Sequence, residues 1–94
     1  MYNRVLRKMQ EQIRTRQYVM TLHAEEEMNN DGLTIFDIER AILTGELIER
    51  QEDHHTGEWK YLVSGSAIDS RLTIVVGKLS VTDKLVIITV YLEN

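Results

Sequence analysis

Lys60, Arg71, Thr89 and Tyr91 are the residues whose types and spacing could do chemistry together. Each falls on the less apolar side of a segment that alternates with the period of two expected of a strand. In KLVIITVYL, residues 84–92, this period assigns Val86, Ile88, Val90 and Leu92 to one side and Leu85, Ile87, Thr89 and Tyr91 to the other. The first set is wholly aliphatic and is expected to cover a core. The second ends in a hydroxyl and a phenol, which bond a ligand better than they fill a core. The same reading sends Trp59, Tyr61 and Val63 inward and Lys60 outward. It sends Leu72, Ile74 and Val76 inward and Arg71, Thr73 and Val75 outward. Two cations, a phenol and hydroxyls on one sheet surface would hold a phosphate and stabilise charge developing on it. A half-exposed sheet also shows polar residues on its solvent side without any function, and a slip of one residue would disperse the group.

His23 offers a proton-transfer group. On a helix, Glu26 and Glu27 lie three and four residues on, close enough to orient the imidazole and favour its charged form. Such a histidine could serve as a general acid or a charge partner, and an exposed helix-end histidine shows the same spacing. The pair His54-His55 lacks metal-ligand spacing and reads as turn filler. No Gly-rich phosphate loop, nucleophile elbow or heptad repeat occurs, so nucleotide-dependent enzymes and the usual hydrolases are not expected. Cysteine is absent, which removes disulfides, thiolate nucleophiles and Cys-ligated zinc.

The elements that must position these groups follow from periodicity. Tyr2, Val5, Leu6, Met9 and Ile13 make one stripe of a first helix, with Arg4, Arg7, Lys8 and Arg14 on roughly the opposite side. Those cations suit either a solvated helix face or an RNA-binding one. A second helix is expected over about Leu22 to Asn30 with Thr21 as N-cap. A third starts at Thr34, where Asp37 supplies a variant of the capping box, and stops at Gly45. Ile35, Ile38 and Ile42 form its buried stripe. Strands are expected at Glu46–Gln51, Glu58–Gly65, Arg71–Lys78 and Lys84–Leu92, joined by short turns that favour an antiparallel meander. The expected fold class is α+β: a single domain over residues 1–94, with two to three N-terminal helices packed on one face of a four-stranded antiparallel sheet.

A chain of 94 residues with 43% hydrophobic content is enough for one core and no more. No apolar run nears the roughly 20 residues that span a bilayer, and the start lacks the apolar block of a secretory signal, so no membrane association and a cytoplasmic location are expected. The net charge of −4 is unevenly spread. Residues 1–17 hold five basic side chains against Glu11 alone, while residues 25–53 hold ten acids against Arg40 and Arg50. An acidic whole argues against broad nucleic-acid affinity, yet a local basic face can still recruit phosphate.

Three segments carry a family resemblance: YVMTLHAEEEM at 18–28, DGLT at 31–34, and LVIITVY at 85–91. Together they resemble a small bacterial domain family of unknown function that reads His-Ala-x-x-x-Met, a Gly-Leu/Ile-Thr/Ser helix start and a closing Val-Ile-Thr-Val-Tyr strand. That family is in turn similar to the RelE-like toxins, including the MqsR and BrnT types, which are endoribonucleases with N-terminal helices on an antiparallel sheet. The resemblance marks His23, Thr89 and Tyr91, while Lys60 and Arg71 match only in kind. It departs at Glu27, where many members carry Arg. What it implies is a toxin-type endoribonuclease that acts on mRNA without metal or other cofactor, with an antitoxin protein as partner. Lys60 and Arg71 would hold the scissile phosphate. Tyr91 and His23 would transfer protons or stack on bases, Thr89 would support them, and Arg4, Arg7, Lys8 and Arg14 would bind RNA. The alternative expectation is a non-catalytic interaction module or inactive toxin relative, which could self-associate as a homo-oligomer. The acidic central segment and Glu27 favour it.

Overall fold

Both N-caps expected from the sequence form, and they fix where the second and third helices start. In the computed structural model, which describes residues 3–93, helix α1 spans Asn3–Arg14, α2 Leu22–Asn30 and α3 Ile35–Thr44. The Thr21 hydroxyl accepts from the Ala24 N–H to start α2, and Thr34 and Asp37 close a capping box on α3. Caps of this kind stabilise a helix start by about 0.5–2 kcal/mol. Met9 and Ile13 of α1 are buried, with Val5 and Leu6 packed against the same core. Tyr2, the first member of the expected stripe, lies outside the described residues. None of the described helices is long and apolar enough to cross a membrane.

The strands are β1 (Tyr18–Met20), β2 (Glu46–Glu52), β3 (Trp59–Ser66), β4 (Leu72–Leu79) and β5 (Leu85–Leu92), in the spatial order β1-β5-β4-β3-β2. The expectation of four antiparallel strands is therefore corrected to a five-stranded mixed sheet. The added strand β1 runs parallel to β5, pairing Tyr18 with Leu85 and Met20 with Ile87. Three residues are too few to show a period, which is why the sequence hid it. The α+β class holds, and the core from all three helices packs against one face.

Which side chains face that core differs from expectation in two strands. Val63 pairs with Val75 and Leu62 with Val76, and directly paired residues share a face. Val75 accordingly joins Val63 under the helices, together with buried Thr73, while Ile74 and Val76 join Leu62 on the helix-free face. The phase expected for β4 is thus reversed. This strand is apolar on both sides, so alternation alone could not assign one. In β5 the register shifts between Val76/Gly77: Val76 opposes Thr89 but Gly77 opposes Ile87, leaving Ile88 as a bulge. Leu85 and Ile87 therefore enter the core ahead of the bulge, and Val90 and Leu92 after it. The expected division is right for Val90, Leu92, Thr89 and Tyr91, and inverted for residues 85–88.

Two contacts lock α3 to this sheet. A Cβ built at Gly65 would lie 1.8 Å from the Ala41 carbonyl oxygen, so α3 can approach β3 only over a glycine. Asp37, itself buried, accepts from the Thr34 N–H at 2.8 Å and from the Ile68 N–H at 2.9 Å, tying α3 to the β3–β4 loop. Those backbone bonds hold its carboxyl below the ordinary range, with Arg71 adding a smaller pull.

Gly65→Ala is expected to destabilise the fold by about 3 kcal/mol through this backbone clash, measured by urea denaturation. Because folding lowers the Asp37 pKa, its stabilisation is present above the ordinary carboxylate range and fades as pH falls through the depressed value. Asp37→Asn should lower stability by about 1–3 kcal/mol at neutral pH and flatten the acid limb of a stability-versus-pH curve.

Candidate functional site

The helix-free face of the sheet is where the open polar groups collect. Period two places Lys60 beside Leu62 on β3, and Lys78 beside Val76 on β4. Thr89 and Tyr91 stand opposite Val76 and Ile74 on β5. A small apolar seam of Leu62, Ile74 and Val76 lies between them. Lys60 and Lys78 sit one residue beyond the Tyr61–Gly77 pair and line a cleft of about 270 Å³ with Thr21, Asp53, Glu58, Val86 and Ile88. At the strand and residue spacings of a sheet, Tyr91 lies roughly 16 Å from Lys60 and Thr89 roughly 12 Å from it.

The cleft holds two ammonium groups and two carboxylates in different situations. Lys78 Nζ lies 3.2 Å from Glu58 Oε1, an ion pair with both side chains partly exposed. Asp53 Oδ1 accepts from the His55 N–H at 2.9 Å and the Thr56 N–H at 3.4 Å, which builds the hairpin turn. The bond from His55 holds the Asp53 carboxyl below its ordinary range, and Lys60 contributes less. Asp53 is therefore fixed in the turn through Oδ1, whereas the Glu58 carboxylate is tied to a side chain, Lys78.

Of the residues the sequence singled out, Lys60, Thr89 and Tyr91 share this face. His23 stands at the edge of the sheet: its Nε2 lies 3.0 Å from Glu27 Oε1, and the same oxygen accepts from the Val90 N–H at 3.4 Å. Glu27, the position at which the chain departs from the resemblance, thus serves the open edge of β5 beyond β1. Arg71 is not brought to the group. Its guanidinium reaches the α2–α3 loop instead, donating to Asp31 O at 2.9 Å and Gly32 O at 3.3 Å, with Asp69 Oδ2 2.7 Å away. Thr73 is fully buried beneath the helices and donates to Arg71 O. The basic residues of α1 lie across the sheet from the cleft, since α1 packs on the other face. Arg4, Arg7 and Arg14 are exposed, Arg14 Nη1 being 3.8 Å from Glu11, whereas Lys8 is tied to Asp83 at 2.9 Å.

Sequence reasoning missed Lys78 and Glu58. Lys78 was hidden because the reversed phase of β4 put it with the core residues. Pairing Val63 with Val75 would have moved it beside Lys60. Glu58 shares the parity of Lys60 and was visible, but nothing local set it apart. A strongly shifted phenol elsewhere has a structural cause. Tyr18 donates to the Glu39 carboxylate, and burial followed by that carboxylate pushes it up to about 12. It ties β1 to α3 and stays protonated.

A family model described as "Domain of unknown function (DUF4258)" matches residues 20–92. No curated protein and no solved structure matches the chain. The matched span contains α2, α3 and β2–β5, hence every residue of the cleft, and leaves out α1 with its basic side chains.

Arg71 and Lys78 should behave oppositely when truncated. Arg71→Ala is expected to cost about 1–3 kcal/mol by stranding the α2–α3 loop carbonyls. Lys78→Ala should cost under about 1 kcal/mol, as for other partly exposed ion pairs. Urea denaturation of the two variants checks this.

Proposed function

The chain belongs to the DUF4258 family, and on that premise we propose that it is a toxin-type endoribonuclease that cuts mRNA on its helix-free sheet face. One observation carries the reading: Lys60 and Lys78 stand side by side in a cleft on a face left open by the helices, with Thr89 and Tyr91 farther along it. Paired ammonium groups in a partly walled cleft attract phosphate and oppose the charge of a phosphorane. The His-Ala-x-x-x-Met and Val-Ile-Thr-Val-Tyr segments resemble a small domain family that is in turn similar to RelE-like toxins, which supports the same reaction and brings with it an antitoxin protein as partner.

In this reading Lys60 and Lys78 grip the scissile phosphate, and the ribose 2′-hydroxyl attacks it to leave a cyclic phosphate. That chemistry requires proton transfer and charge stabilisation and no metal ion. Tyr91, roughly 16 Å away by strand geometry, is too far to touch the same phosphate and suits stacking on a neighbouring base. Thr89 lies between them as a hydrogen-bond donor to the strand. His23, at the sheet edge, would meet RNA leaving the face. Arg71 drops out of the phosphate role because its guanidinium is engaged in the α2–α3 loop. Arg4, Arg7 and Arg14 lie on the far side and would contact only a strand that wraps the domain.

A second reading, a non-catalytic interaction module, is favoured by the charge balance of the cleft, where Glu58 holds Lys78 and Asp53 lies near Lys60. Light scattering on a size-exclusion column separates the two: a stable oligomer that closes the Lys60–Tyr91 face speaks for the module.

Induced expression in bacteria should arrest growth and produce new transcript 5′ ends. Lys60→Ala with Lys78→Ala should abolish both and slow cleavage by purified protein about 10²-fold or more. A wild-type chain that neither slows growth nor cuts RNA at micromolar concentration ends the ribonuclease reading.

A further inference from the structure

Glu58 lines the cleft beside both lysines with no role in the ribonuclease reading, and its surroundings suit one. Its backbone is held at both ends: its carbonyl accepts from the Asp53 N–H at 2.8 Å, and its N–H donates to Thr56 Oγ1 at 3.2 Å. Strand alternation carries its side chain to the same face as Lys60, and Oε1 rests 3.2 Å from Lys78 Nζ. A base for RNA cleavage must sit beside the ligand of the phosphate, because the attacking 2′-oxygen is on the ribose carbon next to the one bearing that phosphate. Of the two carboxylates lining the cleft, Asp53 is fixed in the hairpin turn by two backbone N–H groups on Oδ1, and the bond from His55 makes it a weaker proton acceptor. The Glu58 carboxylate is bound instead by Lys78, the lysine that a phosphate would draw away.

We infer that Glu58 is the general base that takes the 2′-hydroxyl proton of an RNA strand whose phosphate is held by Lys78 and Lys60. The inference rests on the ribonuclease reading. On binding, Lys78 turns from Glu58 to a phosphate oxygen and so exposes the carboxylate. The 2′-O–H proton passes to Glu58 as the O2′–P bond forms. The P–O5′ bond breaks, and the departing 5′-oxygen takes a proton from the Lys60 ammonium, which is reprotonated by water. The products are a 2′,3′-cyclic phosphate and a free 5′-hydroxyl.

The test compares purified wild type, Glu58→Gln, Glu58→Asp, Asp53→Asn and Lys78→Ala on a short single-stranded RNA. Single-turnover cleavage is followed across pH, and binding is measured by fluorescence anisotropy with the 2′-deoxy version of the same strand, which cannot react. Glu58→Gln should slow cleavage about 10²–10⁴-fold, bind the deoxy strand at least as tightly as wild type, and lose the acid limb of the rate profile. Glu58→Asp should fall between, and Asp53→Asn should stay within a few-fold of wild type. Lys78→Ala should weaken binding. Cleavage by Glu58→Gln at the wild-type rate overturns the base assignment and leaves the ribonuclease reading standing. Faster cleavage also overturns it, and shows Glu58 to be a mask over Lys78. A wild type that binds and cuts nothing overturns both.

Discussion

A single extra residue in β5 decides how the two faces of this sheet are used. The bulge at Ile88 changes the phase of the strand midway, so Leu85 and Ile87 before it and Val90 and Leu92 after it all contribute to one core. Without that shift, either the first or the second half of the strand would turn its apolar side chains to solvent. Gly77 stands opposite the bulge, where an added Cβ would come within 3.0 Å of Leu85. The consequence for the helix-free face is direct. Val86 and Ile88 line the cleft, and Thr89 and Tyr91 project on the same side as Lys60 and Lys78. Core formation and the open polar face are two results of one local irregularity, as expected of bulges near working surfaces.

The short strand β1 leaves half of β5 without a neighbour, and α2 completes the edge. Thr21 donates to the Ile88 carbonyl while capping its own helix, and Glu27 accepts from the Val90 N–H. An open edge invites pairing with other chains, and covering it with a helix removes the invitation. His23 is positioned through Glu27, so a residue first noticed for its proton also belongs to the edge closure. Arg71 and Asp37 do comparable work at the other end of the sheet. They join the α2–α3 loop, the α3 N-terminus and the β3–β4 loop through hydrogen bonds to backbone. Charged residues in this chain therefore divide into those spent on architecture and those left facing the cleft.

The cleft itself is electrically balanced, which bears on how it could work. Two lysines facing no acid would attract any polyanion. Here Lys78 is partnered by Glu58, and Lys60 lies near Asp53. A ligand must therefore offer more than negative charge, since it has to displace a carboxylate from an ammonium and satisfy both. A ribose phosphate would do so by giving the lysine an oxygen and the glutamate a hydroxyl.

Much of the architecture was legible before any coordinates. Thr21, Thr34 with Asp37, and Gly45 marked helix ends correctly because capping depends on residues three or four apart. The strands longer than three residues were placed within a residue or so, since turns between them are also local. Lys60, Thr89 and Tyr91 were assigned to the right face. What eluded the sequence was non-local: β1, whose three residues form a strand only because β5 lies beside them; the phase of β4, apolar on both sides until Val63 and Leu62 choose its neighbours; and the Ile88 bulge. Those same pairings replaced Arg71 by Lys78 at the cleft and brought Glu58 to it. The chain alone determined its helices, its four longer strands and its supply of reactive groups, because propensity and capping act over a few residues. Which groups meet was decided by the tertiary fold, because cross-strand register is set by packing between segments far apart in the chain.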